Sequence, residues 1–493
     1  MKVSQMFVDI PVIEYIGNVS LLETAIEDLS YNTKTVKEKT IFFALKGRTS
    51  DGTTFIPQAY EKGCRVFVGQ TRVQVPEDAL LILVEDSRYI LSKVSSLFFE
   101  EPSKKMTVVG ITGTKGKTTI TTLLYKILKD VGLKTGVIGT NGIYYGDTYL
   151  QTANTTPESY ELHKVMHQML QQGITTCFME VSSQGLMMSR VEHIDFDIAI
   201  FTNMAYDHIG DLEHPTFENY LHWKTHLFDL TKIAIVNHDD RYVNHFIKQN
   251  QKVYTYGLDN KSDYQATELQ YLFDKRQVGM SFAYHKQYVT KSVLLPVPGK
   301  FNVYNALVVL AVADILNQDE QKVISLLNQT TVAGRMELIP NHKQVLAVLD
   351  YAHNGFSLEN VILTLKHYNY ERLIILFGSV GDRSQIRRKE LGDVVSKYAD
   401  IAIITSDNPG HENPQHIIDD IKQSFTDTNC IVYEEIDRQK AIELAASLSK
   451  KGDIVVFAGK GHETYQLIGS EKVPFDEKQF IINSFEKEGT ISV

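Results

Sequence analysis

Short apolar runs rich in β-branched and aromatic residues recur along this chain, and between them apolar residues return at the three-to-four spacing of helices. Near the start, residues 40–45 and 65–68 read as strands, with a helix over 55–62 between them. Further on, strands are predicted at 107–111, 176–180, 198–201 and 233–236, separated by helical stretches such as 120–128. That alternation is the pattern of a largely parallel sheet. A strand at 345–349 begins a third series, with others at 373–377, 401–405 and 454–458. Two breaks interrupt the pattern: Glu100-Glu101-Pro102-Ser103-Lys104-Lys105, charged and proline-containing, and Thr331-Val332-Ala333-Gly334-Arg335. The reading is α/β in three domains, 1–103, 104–331 and 332–493, since 493 residues exceed what one hydrophobic core can organise.

Composition narrows the class without naming a function. With 43% apolar and 22% charged residues the chain is of ordinary globular type. No basic leader followed by an apolar run opens it, and no apolar stretch approaches the roughly 20 residues that span a bilayer, so the expectation is a cytoplasmic protein with no membrane span. Cys64, Cys177 and Cys430 lie far apart, which points to incidental thiols rather than a disulfide framework or zinc site. A net charge of −10 argues against a nucleic-acid surface, leaving anionic ligands to local loops.

Chemistry enters with Gly113-Thr114-Lys115-Gly116-Lys117-Thr118-Thr119, placed between a predicted strand and a predicted helix. Glycines at 113 and 116 let backbone N–H groups turn toward phosphate oxygens, and the helix adds its positive end. Lys117 would reach the terminal phosphates of ATP and Thr118 would ligate Mg²⁺. Glu180 ends a strand, where open α/β sheets place ligands, and Asn203, Asp207 and His208 follow another strand to the same edge. Asn237-His238-Asp239-Asp240 reads equally as a turn or as part of a nucleotide site. In the last third, polar loops beginning at Asp350, Gly378, Asp407 and Gly459 each follow a strand, a face suited to a charged small molecule.

Together with ANTTPE (153–158), EVSSQGL (180–186), FTNMAYDHI (201–209), GRME (334–337), DYAHN (350–354) and GKGHETYQ (459–466), these residues resemble the Mur ligase family of ATP-dependent amide-bond-forming enzymes over nearly the whole chain. The resemblance implies an N-terminal UDP-sugar-binding domain, a central P-loop ATPase domain on a parallel sheet, and a Rossmann-like C-terminal amino-acid-binding domain. It implies ATP contacts from residues 113–119, with Lys115 where Asn is more usual, and from Asn302 and Asn305 near the adenine. Tyr31, Thr33, Asn154, Thr155, Thr156, Ser182, Met188 and Arg190 would hold a UDP-muramoyl-dipeptide, although the Asn32-Thr33-Lys34 loop departs from the family's Asp-Ser-Arg. Thr118, Glu180, His208 and Lys224, the last as a CO₂-derived carbamate, would organise Mg²⁺, making Lys117, Lys224, His208 and Glu180 the catalytic set. Arg48-Thr49-Ser50 match a substrate-contacting loop in position.

Arg383, Asp407, Asn408, Gly459 and Glu463 would bind the incoming amino acid. Family members specific for meso-diaminopimelate carry Asp-Asn-Pro-Arg where this chain has Asp407-Asn408-Pro409-Gly410. Glycine offers no fork for a distal carboxylate, while Asp407, Glu412 and Glu463 could neutralise an ammonium, so the expected addition is L-lysine, with L-ornithine or meso-diaminopimelate as alternatives. A ligase recruited to another carboxylate, and a non-catalytic nucleotide-binding module, are further alternatives. The expected partners are small molecules only, bound by a monomer.

Overall fold

The computed structural model describes every residue except 48–50, 208, 211–212, 274–277, 383–384, 427 and 490–493. The expectations placed on Arg48, Thr49, Ser50, His208 and Arg383 therefore lie outside the described residues. The chain forms two compact units, Met1–Tyr264 with Ala311–Gln318, and Gln265–Leu310 with Asp319–Val493. Among the described residues no helix is long and apolar enough to cross a membrane.

The first unit opens with strands β1 (Glu14–Gly17), β2 (Asp28–Ser30), β3 (Thr40–Ala44), β4 (Val66–Gly69) and β5 (Leu80–Leu83), in the order β1-β5-β4-β3-β2. Only β1 runs antiparallel to its neighbour. Both faces are covered: Ile41, Phe43 and Val68 join Ile90, Leu91 and Val94 of helix Ser87–Phe98, while Phe42 and Phe67 join Ile56 and Ala59 of helix Ile56–Glu61. Burial on two faces is why these strands read as continuous apolar runs.

The unit's second sheet contains β6 (Thr107–Thr112), β7 (Thr135–Gly139), β8 (Gly142–Tyr145), β9 (Thr148–Leu150), β10 (Thr176–Glu180), β11 (Phe196–Phe201), β12 (Thr231–Asn237) and β13 (Lys252–Gly257). Their order is β9-β8-β7-β10-β6-β11-β12-β13, parallel except for the β7-β8-β9 meander. The loops after β10, β6, β11 and β12 consequently leave neighbouring strands at one edge.

Helix Ser159–Gln171 packs against helix Ser87–Phe98 and carries His163, which is fully buried with neither ring nitrogen hydrogen-bonded. Burial, assisted by His193, pushes its pKa down to about 3. An unfolded histidine titrates near 6.5, so the unfolded chain takes up the proton first and stability declines as pH falls from that value toward 3. Between pH 7 and 5 this one group should remove about 2 kcal/mol. We expect His163→Leu to lose less thermal stability than the parent over that interval. Equal losses in a two-pH melting comparison would show that other groups govern acid sensitivity.

In the second unit β14 (Tyr264–Phe273), β15 (Val278–Lys286) and β16 (Val289–Leu295) lie side by side, β15 and β16 antiparallel. A further sheet follows: β17 (Glu337–Ile339), β18 (Leu346–Asp350), β19 (Leu373–Phe377), β20 (Ile401–Thr405), β21 (Ile431–Glu435) and β22 (Ile454–Ala458), in the order β17-β18-β22-β19-β20-β21. All but β17 are parallel, and β22 returns between β18 and β19, the reversal of strand order at which open α/β sheets place ligands. Leu358 and Ile362 of helix Gly355–Leu365 cover one face, and Ala441 and Ile442 of helix Arg438–Leu448 the other. A hairpin of β23 (Tyr465–Ile468) and β24 (Glu471–Pro474) follows β22.

Candidate active site

Strand β6 runs into the predicted phosphate loop and helix Lys117–Val131 starts directly after it. Gly113 has φ +139°, and a Cβ there would lie 2.0 Å from Thr202 Oγ1, so only glycine fits. Gly116 precedes the helix with φ +92°. The loop is stitched to the turn after β11: Thr114 N donates to the Asn203 carbonyl (2.8 Å), Lys115 N to Asn203 Oδ1 (3.0 Å), and Thr202 Oγ1 to the Lys115 carbonyl (2.7 Å). Lys115 Nζ pairs with Asp207 at 3.1 Å. Lys117 Nζ donates to the Gly113 and Thr114 carbonyls at 2.7 and 3.1 Å, which keeps its ammonium over the loop, while Thr119 is half-buried on the helix's first turn.

Beside the loop, Thr118 Oγ1 donates to Glu180 Oε2 at 2.8 Å. The buried Glu180 carboxylate also accepts from Thr140 N (2.9 Å) and Thr140 Oγ1 (3.1 Å). Two oxygen donors suited to a hard divalent cation thus stand together. Among the described residues no group of three or more His, Cys, Asp or Glu side chains is gathered for a metal ion. Lys224, on helix Phe217–His226, is almost fully buried and donates to the Gly113 carbonyl at 2.8 Å. Its pKa lies well below the usual lysine value, first through burial and then through the Lys117 and Lys115 charges, with Asp207 opposing.

Of the predicted dipeptide-binding residues, Thr155 and Thr156 adjoin this centre: Thr155 Oγ1 lies 3.0 Å from Thr140 Oγ1, and Thr156 Oγ1 donates to the Glu180 carbonyl (2.9 Å). Ser182 caps helix Ser183–Met187, its Oγ accepting from Gly185 N and lying 3.1 Å from Thr156 Oγ1. Arg190 binds Glu158 and the Thr156 carbonyl, each at 2.9 Å. Arg88 reaches the same Glu158 carboxylate at 3.2 Å, bracketing it between two guanidiniums. Glu158 closes the ANTTPE motif but carries no role from sequence, and Arg88 lies outside every motif. Nothing local signals the pair, because the two are 70 residues apart. Tyr31 donates to Glu161 (2.8 Å), the Thr33 carbonyl accepts from Lys62 (2.6 Å), Met188 is half-buried and Asn154 exposed. Asn237 ends β12 and residues 238–240 turn after it: Asp239 accepts from the backbone of Leu258, Asp259 and Asn260, and Asp240 from Met204 and Tyr242.

In the second unit Asn302 and Asn305 lie in the first turns of helix Lys300–Ile315, buried and bonded to each other at 3.2 Å. At the C-terminal edge of the β18-β22-β19-β20 strands, Asp407, Glu412 and Glu463, the acids expected to face an ammonium, each have partners within the protein. Glu412 is held by the buried Arg388 guanidinium (2.7 Å) and by Asp382 N (2.6 Å). Asp407 and Glu463 already share Lys460, at 3.6 and 2.7 Å, and Asn408 Nδ2 donates to Glu463 Oε2 (3.0 Å). Gly459 packs on Asp407, where a Cβ would come within 2.8 Å of Oδ2. Gly410 has φ +56°, exchanges backbone hydrogen bonds with Leu467 and Gly469, and would place a Cβ 2.2 Å from Asp382 Oδ2. A side chain at 410 would strain the backbone and need the Asp382 carboxylate to move.

Residues 111–313 match the Mur ligase middle domain, and residues 334–461 the Mur ligase glutamate ligase domain. A Clostridium acetobutylicum protein named UDP-N-acetylmuramoyl-L-alanyl-D-glutamate--2,6-diaminopimelate ligase 1 is 40% identical over 95% of this chain and 96% of its own length. The ligase named for the same reaction in Caldanaerobacter subterraneus subsp. tengcongensis is 38% identical over 92% of this chain and 94% of its own. A solved structure of a 2,6-diaminopimelate ligase superposes with a TM-score of 0.72 at 29% identity, covering 99% of both chains. Likeness of this extent, on a phosphate loop whose threonine meets a buried glutamate, establishes that the chain belongs to the Mur ligase family, with that family's three-domain α/β architecture, and is an ATP-dependent, ADP-forming acid–amino-acid ligase.

Proposed function

We propose that this ligase adds meso-diaminopimelate to UDP-N-acetylmuramoyl-L-alanyl-D-glutamate, forming the third residue of the peptidoglycan stem peptide in the cytoplasm. The names of relatives that match over nearly the whole of both chains carry this choice of acceptor over the lysine expected from sequence. In the first step the substrate's terminal carboxylate attacks the γ-phosphorus of ATP, giving an acyl phosphate and ADP. Lys117 offsets charge gathering on the phosphoryl oxygens, and the N-terminal end of helix Lys117–Val131 offers its positive end to the phosphates. Mg²⁺, which Thr118 and Glu180 fit, would supply further neutralisation when bound. The unprotonated amine of the acceptor then attacks the activated carbonyl and expels phosphate.

In this reading Tyr31, Thr33, Asn154, Thr155, Thr156, Ser182, Met188 and Arg190 serve the UDP-dipeptide, Asn302 and Asn305 the adenine, and Asp407, Asn408, Gly459 and Glu463 the acceptor. The domain limits are 1–103, 104–331 and 332–493. Lys224 fits a carbamate because its buried, depressed amine is the form that reacts with CO₂.

A second reading, L-lysine as acceptor, is favoured by Gly410, which supplies no guanidinium for a distal carboxylate and whose φ of +56° suits glycine. ADP release and product mass with meso-diaminopimelate, L-lysine or L-ornithine decide the matter. Turnover led by diaminopimelate supports the proposal, turnover led by L-lysine replaces it with the second reading, and no turnover with any acceptor overturns both.

A further inference from the structure

Lys460, in the loop after β22 and within the GKGHETYQ stretch, has no accessible surface and carries no role among the residues assigned from sequence. Nζ donates to Asn408 Oδ1 at 2.8 Å and to Glu463 Oε2 at 2.7 Å, and lies 3.6 Å from Asp407 Oδ1. Asn408 is thereby oriented: Oδ1 accepts from Lys460 and from Leu467 N (2.9 Å), so Nδ2 must face Glu463 Oε2 at 3.0 Å. The other Glu463 oxygen meets Tyr351 OH at 3.4 Å. Asp407 Oδ1 is buried without a hydrogen-bond partner. Removing Lys460 would therefore leave two carboxylates in one buried cluster and free Asn408 to turn. The nearby Arg438 cannot replace it, because it is committed to Glu477 at 2.7 Å and to the Ala458 carbonyl at 2.8 Å.

We infer that Lys460 is a positioning residue for the acceptor amino acid, fixing Asn408 and Glu463 from beneath and setting the charge of the pocket they form. The inference rests on the reading of this loop edge as the acceptor site, and it holds for either diamino acid. It is distinct from a purely structural role, which would lower stability without singling out one substrate.

The test compares the parent with Lys460→Met and Lys460→Arg in the full chain, measuring KM for the acceptor, ATP and the UDP-dipeptide alongside thermal melting. In the Met variant the acceptor KM is expected to rise roughly 10- to 100-fold, as displacement of a positioning group does, with the other two KM values unchanged. The Arg variant keeps the charge but not the shape and should show a smaller rise confined to the acceptor. A folded Met variant with parental acceptor KM overturns the inference, as does an equal rise in all three constants. Should the Met variant fail to fold, the Arg variant decides by the same criterion. Absence of turnover in the parent would instead reject the acceptor-site reading.

Discussion

Lys117→Ala should cut ATP-dependent ligation by at least roughly 10²–10³-fold, the cost of removing one preorganised charge from a developing oxyanion. The ammonium is already held by the Gly113 and Thr114 carbonyls at 2.7 and 3.1 Å, so it is placed before phosphate arrives and needs little reorganisation during transfer. Neighbouring cations cannot take its place. Lys115 is paired with Asp207, and Lys224 is buried with a strongly depressed pKa. The fold should survive, since position 117 opens a helix in which alanine is well tolerated and the loop's attachment to Asn203 is made by backbone groups of Thr114 and Lys115. ADP release and a melting curve check both halves. Activity within tenfold of the parent would show that Lys117 does not carry the phosphoryl charge.

Much of the framework behind that prediction is visible in the sequence. Strands β19, β20 and β22 match their predicted bounds because each is interior, parallel and buried on both faces, which leaves a continuous apolar run. The β8–β9 hairpin was not anticipated. Its residues Gly142–Leu150 mix glycine, tyrosine and polar positions, and β9 is largely exposed at the sheet's edge. Strands β14 to β16 escaped for a related reason: a run such as Tyr264-Gln265-Ala266-Thr267-Glu268 lacks the continuous apolar character of a doubly covered strand.

The site divides along the same physical line. Residues at or just after the ends of parallel strands, such as Glu180 and Asn203, and the helix start that carries Thr118, could be brought to one edge by topology alone. Pairing between distant side chains could not. Sequence offered Asp407 and Glu463 as groups to neutralise an ammonium, whereas Lys460, in the loop after β22, already lies 3.6 and 2.7 Å from them. Likewise, Glu158 became part of the site only when Arg88 and Arg190 were seen to converge on it. For the acceptor, local chemistry at Gly410 and the names of the relatives point to different diamino acids. Loop composition sets which contacts are possible, but discrimination depends on every group facing the distal end of the substrate.

Lys224→Ala carries the other large expected effect. Its amine is almost fully buried, 2.8 Å from the Gly113 carbonyl and 4.7 Å from the Tyr220 ring centroid, with the charges of Lys117 and Lys115 disfavouring its protonation. A neutral amine can attack the carbon of CO₂, forming an N–C bond while one C=O electron pair moves to oxygen and the nitrogen releases a proton. The resulting carbamate would be an anion, so repulsion from the two lysines would become attraction, and the cluster would gain a group compatible with Mg²⁺. Alanine forfeits that anion, and turnover should drop on the order of 10²-fold or more. Because the proposed carbamate is a small acid on a flexible stem, formate or acetate should restore part of the rate in the variant and leave the parent unaffected. Depleting bicarbonate should slow the parent and spare the variant. Full activity of Lys224→Ala without any added acid would remove the carbamate from the mechanism, and a slow variant that no acid rescues would assign Lys224 to holding the phosphate loop through Gly113 instead.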